Sequence, residues 1–225
     1  HPELQDINYG NAGSNGGPGG ANGDWKHFNA VAYNEDLDQI ALSSRFHDEI
    51  YIIDHSTTTE EAAGHTGGNS GMGGDFLYRW GNPQGYDRGS DSDRLLDDQH
   101  SVNWIPEGYP GEGNLILFNN NYGSNSAVFE IVTPINEDGT YSISPGQPYG
   151  PIEPIWIHTG PFHTQMQGGA FRLPNGNTLI TDCNDATIFE VTYDHDIVWA
   201  NDFSSGAGPS FIARAQKYSM DYLGG

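Results

Sequence analysis

The sequence predicts an all-β protein, a β-propeller of which this chain supplies about three four-stranded blades, and three observations predict it. Short runs rich in β-branched and aromatic residues follow one another between clusters of turn-forming residues. The order of these runs recurs at roughly 70 residues. Each recurrence closes on a run that carries a tryptophan: FLYRWGN at 76–82, PIWIHTG at 154–160 and IVWAND at 197–202. Four strands per unit is how a propeller blade reads in sequence. The units exceed the usual ~40–45 residues because long polar insertions separate the strands. No window keeps apolar residues at i, i+3, i+4 and i+7 for three turns, so a helical fold is excluded.

Taken in order, residues 1–24 are a Gly- and Asn-rich lead-in that reads as a surface loop. The first blade spans 25–82: WKHFNAVAYN, the turn-rich NEDLD, then QIALSSR and EIYIID. Before its last strand lies HSTTTEEAAGHTGGNSGMGG, where His55, His65, Glu60 and Glu61 match no compact ligand spacing and read as solvated loop residues. The linker PQGYDRGSDSDRLLDDQ follows. Its Asp87, Asp91, Asp93, Asp97 and Asp98 are dense enough in carboxylate oxygen to suggest a structural calcium ion, centred on Asp87, Asp91 and Asp93, although the order is not that of an EF-hand. The second blade spans 100–160, with HSVNWIP, NLILFNN and AVFEIVTP, and Asp138 and Gly139 suit a tight turn. The third spans 167–202, with QGGAFRLP, a Pro174-Asn175-Gly176 turn, NTLITDC and ATIFEVTY. Residues 203–225 form a tail whose stretch 211–223 is the one helix-like window.

Three blades do not close a ring, since propellers use about 4–8. The chain therefore reads as half of a propeller of about six blades, completed by an upstream half or by a second copy across a two-fold axis. It opens on His1 with neither an initiator Met nor a signal peptide, as a processed or truncated chain would.

Composition narrows the function. With 30 Asp and Glu against 8 Lys and Arg the formal charge is −22, which repels phosphate backbones and argues against nucleic-acid binding. Aromatic residues at 12% argue against disorder. Cys183 is the single cysteine, so no disulfide forms within the chain. No apolar run approaches the ~20 residues that span a bilayer. No strand and helix flank a glycine-rich segment, which excludes a nucleotide-dependent phosphate loop.

In a propeller the first strand of each blade lines the central channel. His27 and His100 open equivalent inner strands, and Arg45 closes a second strand near the same end. Two imidazoles and a guanidinium at one mouth make a site for an oxyanion. His163, in GPFHTQMQGG just before the third inner strand, is a further candidate to reach that mouth as a nucleophile.

The segments DWKHFNAVAYNEDLDQIALSSR, QHSVNWIPEG with GNLILFNN, and RLPNGNTLI with IFEVT resemble the arylsulfotransferase family, in particular its marine bacterial and planctomycete branch. The resemblance covers most of 25–202. It implies a periplasmic or secreted propeller that moves a sulfuryl group from a phenolic sulfate ester to another phenol. No cofactor is required, and a sulfated histidine is the intermediate. It also implies that His27 and His100 bind and polarise the sulfate. The same comparison places Ser124 where the family has an arginine and Thr187 where it has the nucleophilic histidine. Two functions follow: an enzyme-like propeller that binds a sulfated or anionic aromatic ligand, or a non-catalytic extracellular binding or assembly module descended from one.

Overall fold

The computed structural model describes residues 1–9, 16–17, 20–21, 24–204, 211–220 and 222. Three four-stranded antiparallel sheets carry the chain. The first is β1 (Phe28–Asn34), β2 (Gln39–Ser44), β3 (Glu49–Asp54) and β4 (Phe76–Trp80). The second is β5 (His100–Trp104), β6 (Leu115–Tyr122), β7 (Asn125–Ile131) and β8 (Trp156–Thr159). The third is β9 (Gly169–Arg172), β10 (Thr178–Asp182), β11 (Thr187–Val191) and β12 (Ile197–Asp202). Within each sheet the strands pair in chain order, and the tryptophan-bearing run is the outermost strand. The only α-helix among the described residues is one turn, α1 (Thr59–Ala62), started by a capping box between Thr58 and Glu61.

The alternation of β6 explains how three sheets share two cores. Side chains on a strand point to opposite faces in turn. Leu115 and Leu117 thus join Ile50, Ile52, Leu77 and Trp80 of the first sheet, while Ile116 and Phe118 join Ala170, Ile180, Phe189 and Val191 of the third. The middle sheet is covered on both faces by the other two, whereas the far faces of those two are covered only in part, residues 1–9 burying Glu49, Tyr51 and Arg79 on the first. On the uncovered parts, Val31 of β1 is 68% exposed, and every residue of β12 is exposed.

The loop between β7 and β8 reaches back over the first sheet: Tyr141 Oη donates to Gln39 Oε1 (2.8 Å) and Trp80 Nε1 donates to the Pro151 carbonyl (2.8 Å). Residues 1–9 also pack, rather than lie loose: Phe76 N donates to the Glu3 carbonyl and Arg79 Nη1 to that of Leu4. The glycine-rich remainder, 10–15, 18–19 and 22–23, lies outside the described residues. The helix expected in the tail is absent among the described residues of 211–222. Those residues spend their backbone groups on the third sheet instead: Ile212 N donates to the Cys183 carbonyl, Gly168 N to that of Ala213, and Ala215 N to Thr181 Oγ1.

Two buried imidazoles make the fold acid-sensitive. His47 is fully buried against Tyr9 and Trp25, neither ring nitrogen has a hydrogen-bond partner, and burial pushes its pKa down to about 3. His158 stacks with Trp156, and its Nδ1 meets His195 Nδ1 at 3.2 Å, joining β8 to the turn before β12. Burial, then the neighbouring His195, hold His158 at about 4. For a histidine lowered in the folded state, the unfolded chain binds more protons between the two pKa values, so stability falls as pH falls. Asp48, raised by burial to about 6, acts in the opposite sense between there and its ordinary value of 3.8. His100, also lowered by burial, adds to the two imidazoles, while Glu49 and Asp182, raised by burial, add to Asp48. Because the downward shifts of His47 and His158 are each larger than the upward shift of Asp48, the unfolding midpoint is expected to fall from pH 6.5 towards pH 4. His158→Phe, which keeps the aromatic stack, should flatten that slope in calorimetry across the same range.

Candidate functional site

The short motifs of the sequence meet at one end of the inner strands. Gln99 is fully buried, and its carbonyl accepts Asn29 Nδ2 (2.7 Å). Its own Nε2 donates to Ser43 Oγ (3.1 Å) and to the Ser44 and Glu49 carbonyls. H-x-N, S-S-R and Q-H are therefore parts of one knot between the first and second sheets, and the knot sets the residues beside it. His27 and Arg45 follow from the first sheet and His100 from the second.

Asp98 is the centre of that end. Its carboxylate Oδ2 takes Arg45 Nη2 at 2.8 Å, and its carbonyl accepts His100 Nδ1–H at 2.9 Å. His100 Nδ1 also faces Asn120 Oδ1 at 2.8 Å, and Asn120 Nδ2 donates to the Thr164 and Gln167 carbonyls (2.9 Å each). Two acceptors at Nδ1 place the proton there, and Nε2 accepts the Gln167 backbone N–H at 3.2 Å. The ring is thus the neutral Nδ1–H tautomer. Its pKa is lowered, first by burial, with the Arg45 charge adding to the effect. Arg45 keeps one donor in reserve: Nε is buried and without a hydrogen-bond partner among the described residues.

The other expected residues lie at varying remove. His27 sits in a left-handed backbone turn (φ 48°), with Nδ1 on Asp24 Oδ2 at 2.5 Å. The Phe46 ring stands between it and Arg45, 4.8 Å from the His27 ring and 5.4 Å from the guanidinium carbon. His163 is exposed, its Nε2 3.4 Å from Asn121 Oδ1. Asn121 Nδ2 in turn donates to Asp97 Oδ1 (2.9 Å), beside Asp98. The structure therefore brings Arg45, His100 and, through Asn121, His163 around one pair of aspartates, with His27 behind Phe46. Ser124 is exposed in the β6–β7 turn, and Thr187 opens β11 with its hydroxyl on the Asp185 carbonyl (3.2 Å).

Two of the three carboxylates on which the calcium expectation centred, Asp91 and Asp93, have other partners. Asp93 accepts Ser90 N and Oγ, Asp91 lies 3.4 Å from Arg94, and Asp87 closes a 3-10 turn in the left-handed region. Among the described residues, the group of three whose oxygens lie within 4.8 Å of one another is Asp48, Asp97 and Asp98. Arg94 and Arg45 already pair with two of those three. His55 pairs with Asp38 and His65 with Asp75, and neither joins the group.

Asn120, Asn121 and Gln167 were not singled out by the sequence as site residues, and Asp98 only as one of five carboxylates in an acidic linker. The run FNNN carried a signal, since polar residues inside an apolar strand need buried partners.

The structure is thus an all-β array of four-stranded sheets, with histidine, arginine and asparagine side chains gathered at one end of its inner strands. Residues 7–142 match the arylsulfotransferase (ASST) family, and the chain belongs to that family. Similar solved structures include a protein of unknown function from Bacteroides caccae, at 14% identity and a TM-score of 0.42, covering 78% of this chain and 45% of that one. Another is the selenomethionine-substituted virginiamycin B lyase from Staphylococcus aureus, at 12% identity and a TM-score of 0.39, covering 81% and 43%. The chain thus spans less than half the length of either. No curated protein matches it.

Proposed function

We propose that the Arg45–His100 end binds the sulfate group of an aryl sulfate ester and passes its sulfuryl group to a phenol. The observation that carries this reading is the guanidinium of Arg45: one edge holds the Asp98 carboxylate, and Nε is a buried donor with no partner among the described residues. A buried donor left unpaired costs about 1–3 kcal/mol, which an oxyanion taking Nε and Nη2 together would recover. His27, behind Phe46 and paired with Asp24, stands outside this donor set. As the phenolate leaves, negative charge grows on the departing oxygen and the sulfuryl oxygens, and the guanidinium and its N–H groups stabilise it.

His163 is the histidine we assign as sulfuryl acceptor. His100 has both ring nitrogens engaged and His27 has Nδ1 on Asp24, whereas the His163 ring is exposed beside Asn121. Its nitrogen forms the N–S bond as the S–O bond to the aryl group breaks, and the electron pair leaves with the phenolate. A second phenol then takes the sulfuryl group and frees the imidazole.

We also propose that the sheets are propeller blades in a periplasmic or secreted protein, with the ring completed by further blades from an upstream half or a second copy. The exposed apolar residues Phe28, Val31 and Tyr33 on β1, and Ile197, Val198 and Trp199 on β12, support this. No helix among the described residues is long and apolar enough to cross a membrane.

Incubation with 4-nitrophenyl sulfate and a phenol acceptor tests the transfer. Acceptor-dependent nitrophenolate release is expected, abolished in His163→Ala and reduced in His100→Ala. Saturable binding of the ester without release would instead assign the non-catalytic module, whose motivating feature is Thr187 at the position of the family's histidine.

A further inference from the structure

We infer that the end of the inner strands opposite His100 holds a second small-molecule site, for a flat aromatic ring carrying an anionic group. Strand β5 has His100 at one end and Trp104 at the other, and at about 3.3 Å per residue the two ends lie about 13 Å apart. At the Trp104 end a cavity of about 350 Å³ opens between the inner strands of all three sheets. That is within the range of about 300–1,000 Å³ typical of small-molecule pockets. Tyr33 of β1, Trp104 of β5 and Phe171 of β9 form its walls, Tyr109 flanks it, and the tail residues Lys217 and Tyr218 roof it.

Scattered exposed aromatics need no explanation, but here they converge on one concavity. Tyr33 is 52% and Tyr218 53% exposed, and the Tyr218 ring leans on Tyr222 at 4.3 Å. Aromatic walls offer stacking faces to a flat ring and little to a flexible chain. The charge of the ligand follows from Lys217. On a chain of net charge −22, this ammonium stands at the rim, 60% exposed, and its ion pair with Glu190 is loose at 3.3 Å. Glu190 is itself buried but is also held by Asn175 and Asn177 Nδ2 (3.3 and 2.7 Å), so its carboxylate keeps partners when a ligand anion takes the exposed ammonium. The tail is held in place to do this by the sheet contacts of Ile212, Ala213 and Ala215.

The site does not depend on the sulfuryl-transfer reading, and the test separates the two. Titration calorimetry of the full chain with 2-naphthalenesulfonate, which has no transferable group, should give saturable binding that persists in Arg45→Gln. Tyr218→Ala and Lys217→Gln, both at exposed positions, should each weaken it by about tenfold or more while leaving the unfolding midpoint unchanged. Binding lost in Arg45→Gln would move the ligand to the other end and overturn the inference. Wild-type affinity in both tail variants would overturn it too, and equal affinity for neutral 2-naphthol would overturn the anionic class.

Discussion

Arg79→Ala is expected to lower the unfolding midpoint by roughly 6–20 °C, the equivalent of about 3–5 kcal/mol in a chain of this size. Arg79 and Glu49 are both completely buried. They form a two-point pair, Nε to Oε1 at 2.9 Å and Nη2 to Oε2 at 2.7 Å. The remaining donors go to the carbonyls of Leu4 (2.9 Å) and Gly85 (3.2 Å), and Tyr51 Oη donates to Glu49 Oε2 (2.8 Å). Burial alone would lower the Arg79 pKa, but the Glu49 charge outweighs it and the guanidinium is held above its usual value. Truncation leaves the Glu49 carboxylate without its Arg79 counter-charge in a buried setting, and it also removes the bond that ties the Leu4 carbonyl to the sheet. Arg79→Lys cannot restore the fork and should recover only part of the loss. Replacing both partners by methionine should cost less than Arg79→Ala alone, because no charge is then stranded. Calorimetry on the three variants checks the order, and a double replacement worse than the single would contradict the account.

That pair was invisible in the sequence, and the reason is instructive. EIYIID and FLYRWGN read as strands because their apolar residues and tryptophan set the period, and nothing local tells that Glu49 and Arg79 point inward at each other. The same holds for the site. His27, Arg45 and His100 were legible because the repeat puts them at corresponding strand ends. Asp98 was legible only as one acid in a rich string, and its role depends on Asp48 and Arg45, which are distant in sequence. The tail misled for the opposite reason. Its local pattern allowed a helix, but the third sheet offered the backbone partners that a short helix would have had to supply itself. Strand order and the outer tryptophans, by contrast, follow from alternation and turn chemistry that neighbouring residues encode.

Arg45→Gln is expected to reduce sulfuryl transfer by about 10²–10³-fold, the loss seen when one preorganised donor is removed from a developing oxyanion. Asp98→Asn should act in the other direction on binding. The Asp98 carboxylate occupies Arg45 Nη2, so an anionic ligand must displace it before reaching the guanidinium. Asparagine keeps the carbonyl that receives His100 Nδ1–H, and it tolerates the left-handed backbone at this position (φ 58°). What it removes is the competing charge, and with it the repulsion of an incoming sulfate. Affinity for an aryl sulfate should therefore rise by about tenfold, and the gain should shrink as salt screens the charge. Binding isotherms for Asp98→Asn, Arg45→Gln and the double variant at two ionic strengths give the decisive comparison. If Asp98 acts through Arg45, the gain disappears when Arg45 is gone; if it survives, Asp98 repels the ligand on its own account and Arg45 is not the group it guards.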